Sequence, residues 1–257
     1  MPDVMKTILR LTLVIIILLA GTAKCMTQQL YSKVLPDFEK IMISSHINAT
    51  LIKSDKNTIV INHSNVEPEK LNILVKGNTL KLYVDKSRIW PKTEKIIENG
   101  HKKRRVQINR NVKVDVTIFF RNIQSFKFRG ENGKLVCNSN LDGNKIRIVQ
   151  YGENHIAFDS VSADKLKIRS FGENLLTINN GIFKKLKLQS FGENTIATSS
   201  CESNNIKSIS IGESELRYNC NDKLKVISLG ESKISWIGSG HLRKRFVLGE
   251  TDFVYNK

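Results

Sequence analysis

Between Arg129 and Thr251 the apolar residues recur at fixed distances from a repeated Gly-Glu pair. The glycines are Gly130, Gly152, Gly172, Gly192, Gly212, Gly230 and Gly249, in steps of 22, 20, 20, 20, 18 and 19 residues. With each glycine taken as zero, position +4 holds Ile156, Leu176, Ile196, Leu216, Ile234 and Phe253. Position +6 holds Phe158, Ile178, Thr198, Tyr218, Trp236 and Tyr255. Counting back from the next glycine, position −6 holds Ile146, Leu166, Leu186, Ile206 and Leu224, and position −4 holds Ile148, Ile168, Leu188, Ser208 and Val226. Both pairs are two residues apart, which is the strand period and not the 3.6 of a helix. The spacing therefore predicts two short strands per coil, each with one face buried. A helical solenoid unit needs roughly 34 residues, and the Leu/Asn framework of leucine-rich repeats is missing. The predicted fold class is all-β, a parallel β-helix or solenoid with coils of about 20 residues. Equivalent residues then form columns about 4.8 Å apart. The glycine is the corner, because it tolerates a positive φ. Asn132, Asn154, Asn174 and Asn194, then Ser214, Ser232 and Thr251, follow the Glu and are placed to hydrogen-bond along a column.

Ahead of the repeats the alternation is less regular. Strands are predicted at Ile47–Ile52, Thr58–Ile61, Leu71–Val75 and Leu80–Val84, separated by turn residues. Residues 86–105 are charge-rich, carry Pro91 and Gly100 and show no period, so they read as a long exposed loop. Trp90 within it is either a binding aromatic or a ring packed over a sheet edge. Alternation resumes from Val106 to Phe120. At the N-terminus, Lys6 and Arg10 precede the apolar run Leu11–Ala20, and Gly21-Thr22-Ala23 offers small residues for cleavage. This pattern is that of a signal peptide cleaved before Lys24, the alternative being an uncleaved anchor, for which the run is short against a membrane span of about 20 residues. Cys25 suggests lipidation, but Lys24 stands where a lipobox requires a small residue. The expected organisation is a signal peptide at 1–23, a linker at 24–37, an N-terminal β part at 38–128 and a Gly-Glu repeat solenoid at 129–257.

The order of these features resembles the head GIN domain family of auto-transporter adhesins of bacterial envelopes. The resemblance rests on Phe38-Glu39-Lys40-Ile41, the strand-turn-strand at Ile47 to Ile61, Gly77-Asn78-Thr79-Leu80-Lys81-Leu82, Val112 to Ile118, Asn122-Ile123, and the train of glycine-cornered coils. In the family the corner is usually Gly-Ser-Gly; here it is Gly-Glu, with Gly238-Ser239-Gly240 late in the chain. The resemblance implies an exported all-β, right-handed solenoid-like fold, or two packed strand bundles, and a role in adhesion. It brings no catalytic or binding residues with it.

Charge narrows the function further. The chain carries 41 Lys and Arg against 24 Asp and Glu, a formal net charge of +17. Two cationic columns follow from the repeat. Position −7 carries Lys145, Lys165, Lys185, Asn205 and Lys223, and position −5 carries Arg147, Lys167, Lys187, Lys207, Lys225 and Lys244. They flank buried positions, so they point outward on one strand face, either as an anion-binding plate or as a solvated face that discourages aggregation. Further clusters are His101 to Arg105 and His241 to Arg245. The glutamates Glu131, Glu153, Glu173, Glu193, Glu213, Glu231 and Glu250 form an acidic column. Like charges about 4.8 Å apart repel, so this column is solvated, interdigitated with lysine, or bridged by calcium.

Cys201 and Cys220 are 19 residues apart, about one coil, which brings a disulfide within reach; the alternative is a set of reduced buried thiols, with Cys137 left over in either case. No cysteine and histidine spacing fits zinc. His46, His63, His101, His155 and His241 show no triad order, and Glu and Lys recur at every coil, so no unique catalytic constellation stands out. No cofactor is expected. The reading is an exported, non-enzymatic binding or adhesion scaffold in the periplasm, at the outer membrane or outside the cell. Its partner is an acidic polysaccharide, lipopolysaccharide or membrane surface, with no nucleic-acid module evident. A purely structural envelope protein and a polysaccharide-active β-helix enzyme are the alternatives.

Overall fold

The structure is a computed structural model that describes residues 31–87, 93–98, 102–107, 109 and 111–256. The signal segment 1–23, Lys24, Cys25, Trp90 and His101 lie outside these residues. In chain order the strands begin with β1 (Tyr31–Val34), β2 (Lys40–Ile43), β3 (Ile47–Lys53), β4 (Thr58–Ser64), β5 (Leu71–Val75) and β6 (Thr79–Val84). A hairpin, β7 (Thr93–Glu98) and β8 (Lys102–Gln107), leads to β9 (Val114–Phe120). The repeats are β10 (Ser125–Ile178), β11 (Gly181–Phe191), β12 (Asn194–Ile211), β13 (Ser214–Leu229), β14 (Ser232–Ile237), β15 (His241–Leu248) and β16 (Thr251–Tyr255). Among the described residues there is no α-helix, only a 3-10 turn at Pro68–Lys70. The topology is a β-solenoid of about five turns.

The repeats stack in register. Leu166 pairs with Leu186, Leu186 with Ile206, Ile206 with Leu224, and Leu224 with Leu242, all in parallel. After the corner, Leu176 pairs with Ile196, Ile196 with Leu216, Leu216 with Ile234 and Ile234 with Phe253. The +4, +6, −6 and −4 columns line one continuous core, apart from the last rung, where Tyr255 is 50% exposed. The polar member of the −4 column is matched from across the core: Ser208 sits 2.7 Å from the hydroxyl of fully buried Tyr218.

The stack runs without a break across residues 128 and 129. Ser125–Phe128 pairs in parallel with β2, and Leu135–Cys137 pairs with β3. On the other side β2 pairs with β6 and β3 with β9, again in parallel. The spatial order of coils therefore differs from the order along the chain. The coil formed by β6 and β9 lies outermost, the β2–β3 coil lies inside it, and β10 follows. Antiparallel strands close this end: β5 lies on β6, β4 on β9 and β1 on β4.

Two expectations are corrected. Part of the predicted linker at 24–37 is strand, since Tyr31–Val34 pairs with Thr58–Ile61. The predicted loop at 86–105 contains most of the β7–β8 hairpin, with Glu98 opposite Lys102 and Lys95 opposite Arg105. Its strands read TEKIIE and KKRRVQ, with charge running along them in place of the apolar alternation by which a strand is read from sequence.

The corner glycines are needed for two reasons. Gly192 has φ +99°, and a Cβ there would lie 2.6 Å from the Gly172 carbonyl oxygen. Gly77 also has a positive φ, +57°, but a Cβ there would meet nothing within 4 Å. Gly192→Ala is therefore expected to lower stability by about 3 kcal/mol, and Gly77→Ala by about 1–2 kcal/mol. Chemical denaturation of both variants checks this, and equal losses would contradict the stacked corner.

Candidate functional site: a cationic wall beside an apolar stripe

The strand that precedes each corner presents four outward columns. In the −7 column Lys165 pairs with Lys185, Lys185 with Asn205, Asn205 with Lys223, and Lys223 with His241. In the −5 column Lys167 pairs with Lys187, then Lys207, Lys225 and Arg243. Lys244, expected in this column, lies opposite Val226 instead, and the register shift that follows sets Phe246 opposite Ile227. Its ammonium instead lies 4.1 Å from the centre of the Phe253 ring. Lys145 and Arg147, at the N-terminal start of the same two columns, are exposed.

None of Lys145, Arg147, Lys165, Lys167, Lys185, Lys187, Lys207, Lys223 and Lys225 makes an ion pair among the described residues. The cations do sense one another. The pKa of Lys167 is lowered, first by desolvation and then by Arg169, Lys187, Arg147 and Lys165. Lys184 shows the contrast: it points elsewhere, bonds Asp164 at 2.7 Å and has its pKa raised.

The other two columns of this wall were not anticipated. Position −1 stacks Phe171 on Phe191, Phe191 on Ile211, Ile211 on Leu229 and Leu229 on Leu248. Tyr151 and Phe171 are parallel within 6° with ring centres 4.9 Å apart, and Phe171 and Phe191 are parallel within 3° at the same distance. The Arg129 guanidinium lies 5.8 Å from the Tyr151 ring centre. Position −3 runs from Arg169 and Gln189 to Ile209, Ile227 and Phe246, so it turns apolar toward the C-terminal end. The sequence carries the signal: an apolar residue precedes every repeat glycine except the first.

Around the corner lies the acidic column. Glu153, Glu173, Glu193, Glu213, Glu231 and Glu250 line a shallow groove of about 740 Å³, with Asp252 and Glu215 beside them. These six glutamates are exposed, whereas Glu131, the first of the seven in the column, is half-buried. Among the described residues no three His, Cys, Asp or Glu side chains converge as metal ligands.

The disulfide expectation is corrected. Cys201 stands opposite Gly181, and Cys220 opposite Ser203, because the register of β12 on β13 slips between Thr198 and Asn205. Cys137, Cys201 and Cys220 are all free and buried. Burial pushes the Cys137 and Cys201 thiols up to about 12 from an ordinary 9.0, and raises Cys220 as well. With the folded pKa above the unfolded one, the thiols contribute stability that is complete below pH 9.0 and is lost as pH rises toward about 12. The melting temperature of the wild type should fall more steeply across that window than that of a Cys137→Ala/Cys201→Ala variant. Parallel slopes in thermal denaturation would contradict the burial of these thiols.

Stacked β coils with outward ladders define a solenoid scaffold, and its relatives agree. The chain belongs to the family described as "Putative auto-transporter adhesin, head GIN domain", which matches residues 37–240. A "putative adhesin" from Bacteroides fragilis NCTC 9343 is similar in structure, with TM-score 0.67 and 19% identity over 88% of this chain and 94% of that one. One from Parabacteroides distasonis ATCC 8503 gives 0.61 and 17% over 88% and 95%. A "putative lipid binding protein" from the same organism gives 0.54 and 14% over 88% and 96%. At these identities the likeness is one of fold. No curated protein matches the chain.

Proposed function

We propose that this chain is an exported, non-catalytic adhesion scaffold of the bacterial envelope that meets an anionic glycan or lipid surface through its lysine wall. The observation that carries the reading is the pair of cation columns, stacked coil on coil with no carboxylate ion-paired to them among the described residues. A wall of one sign attracts a polyanion over roughly a Debye length, about 10 Å at 0.1 M salt. Export is supported by the apolar N-terminal run after Lys6 and Arg10, and by membership of an adhesin family. The absence of catalysis is supported by the even recurrence of Glu and Lys, because chemistry needs one coil to differ from the rest.

The test is retention on an immobilised acidic polysaccharide across a salt gradient. Lys167→Gln, Lys187→Gln and Lys225→Gln combined should elute at clearly lower salt than the wild type. The matching Lys→Arg variant should elute with the wild type. If the Gln variant co-elutes with the wild type, the wall is a solvated face only.

A further inference from the structure

We propose that the surface met by this wall is an anionic phospholipid bilayer, with the apolar stripe at position −1 entering the interface while the lysine columns engage headgroup phosphates. This inference rests on the anion-binding reading above and names its occupant.

Three observations favour lipid over sugar. The first is the orientation of the rings. Tyr151, Phe171 and Phe191 lie parallel, with centres 4.9 Å apart, so the stacked faces cover one another and the edges face outward. A sugar ring stacks on an aromatic face, and the middle ring has none left to offer. Exposed edges form an apolar strip, which suits hydrocarbon and the bilayer interface, where aromatic side chains concentrate.

The second observation is how the stripe grows. Beyond Phe191 it continues as Ile211, Leu229 and Leu248, and at the C-terminal end Ile209, Ile227 and Phe246 join it from the −3 column. Ile211 is 39% exposed, Phe246 56% and Leu248 63%. Scattered exposed apolar side chains need no explanation, but a contiguous strip of them does.

The third observation is the charge beside it. Lys207, Lys225 and Arg243 run along the −5 column next to this apolar end. Cations flanking an apolar surface are the two signals that together hold a protein on an anionic membrane. The acidic column lies on the far side of the corner glycines, which orients the molecule with the lysine wall toward the lipid. Leu248, at 63% the most exposed residue of the stripe, sets the tilt by marking the end that enters deepest.

The test uses the full chain with vesicles of phosphatidylglycerol and phosphatidylcholine, vesicles of phosphatidylcholine alone, and soluble dextran sulfate. In Leu248→Trp the introduced indole should shift its emission to the blue with the anionic vesicles and stay unshifted with dextran sulfate. Ile211→Ser/Leu248→Ser should weaken vesicle binding about tenfold or more and leave polysaccharide retention intact. Lys187→Gln/Lys207→Gln/Lys225→Gln should weaken both. If the indole is not shifted by anionic vesicles while polysaccharide is still bound, the bilayer proposal is wrong and the anion-binding reading stands. If neither vesicles nor polysaccharide bind, both fall.

Discussion

Each corner glycine lies so close to its predecessor one coil back that no side chain fits between them. A Cβ on Gly152 would come within 2.1 Å of the Gly130 carbonyl oxygen, and the equivalent distances for Gly172, Gly192, Gly212, Gly230 and Gly249 run from 2.5 to 2.9 Å. That approach holds the coils in register at the corner, and the parallel ladders carry the register outward from it. A slip by one residue would turn every core side chain to solvent. The walls, the groove and the core are consequences of this one spacing.

A fixed register means that a polar residue in the interior must find its partner in the same column or the one facing it. Position −2 is such a column: Gln150, Ser170, Ser190, Ser210 and Ser228 are all buried. Gln150 donates to Ser170 at 2.9 Å, Ser190 meets Ser214 at 2.9 Å, and Ser210 donates to Ser228 at 3.1 Å. Asn154 and Asn174, at +2, donate both along their column and back to the chain. Asn174 reaches Asn194 at 3.0 Å and the Phe171 carbonyl at 3.1 Å. Buried polar groups are costly unless paired, so the two columns are tolerable only together. They fail where the repeat begins. Asn132 turns outward at φ 55°, and Phe128 occupies −2, so the first buried rung is left with unpartnered oxygens on Asn154 and Gln150.

How much of this the sequence reveals depends on whether a column is periodic in side-chain type. The apolar columns, the corner glycines and the lysine columns repeat in kind, and each is legible. The serine column was legible in principle, since −2 shares a face with −4 and −6, but a serine carries no burial signal of its own. The coil order was not legible: nothing local tells β6 and β9 to stack outside a coil that precedes them in the chain. The cysteine pairing was misread because Cys201 and Cys220 are one coil apart in number, while the bulge between Thr198 and Asn205 displaces them in space. The apolar stripe was visible before every repeat glycine but the first, yet alternation analysis attends to the residues that fill the core, and this column faces away from it.

The two ends of the stack face the same hazard and meet it differently. A sheet edge exposes unpaired N–H and C=O groups and invites another chain to add to it. The N-terminal end is closed by antiparallel strands, β4 on β9 and β5 on β6. The C-terminal end has no such cover among the described residues: β15 and β16 each pair on one side only. What β15 carries instead is a register shift beside Arg243, Lys244 and Arg245, all three exposed. A bulge bends the edge out of register, and a row of like charges repels an identical row brought against it. The cluster His241 to Arg245 thus serves two surfaces at once. Arg243 extends the lysine wall, and Lys244 and Arg245 make the last rung a poor template for a second copy.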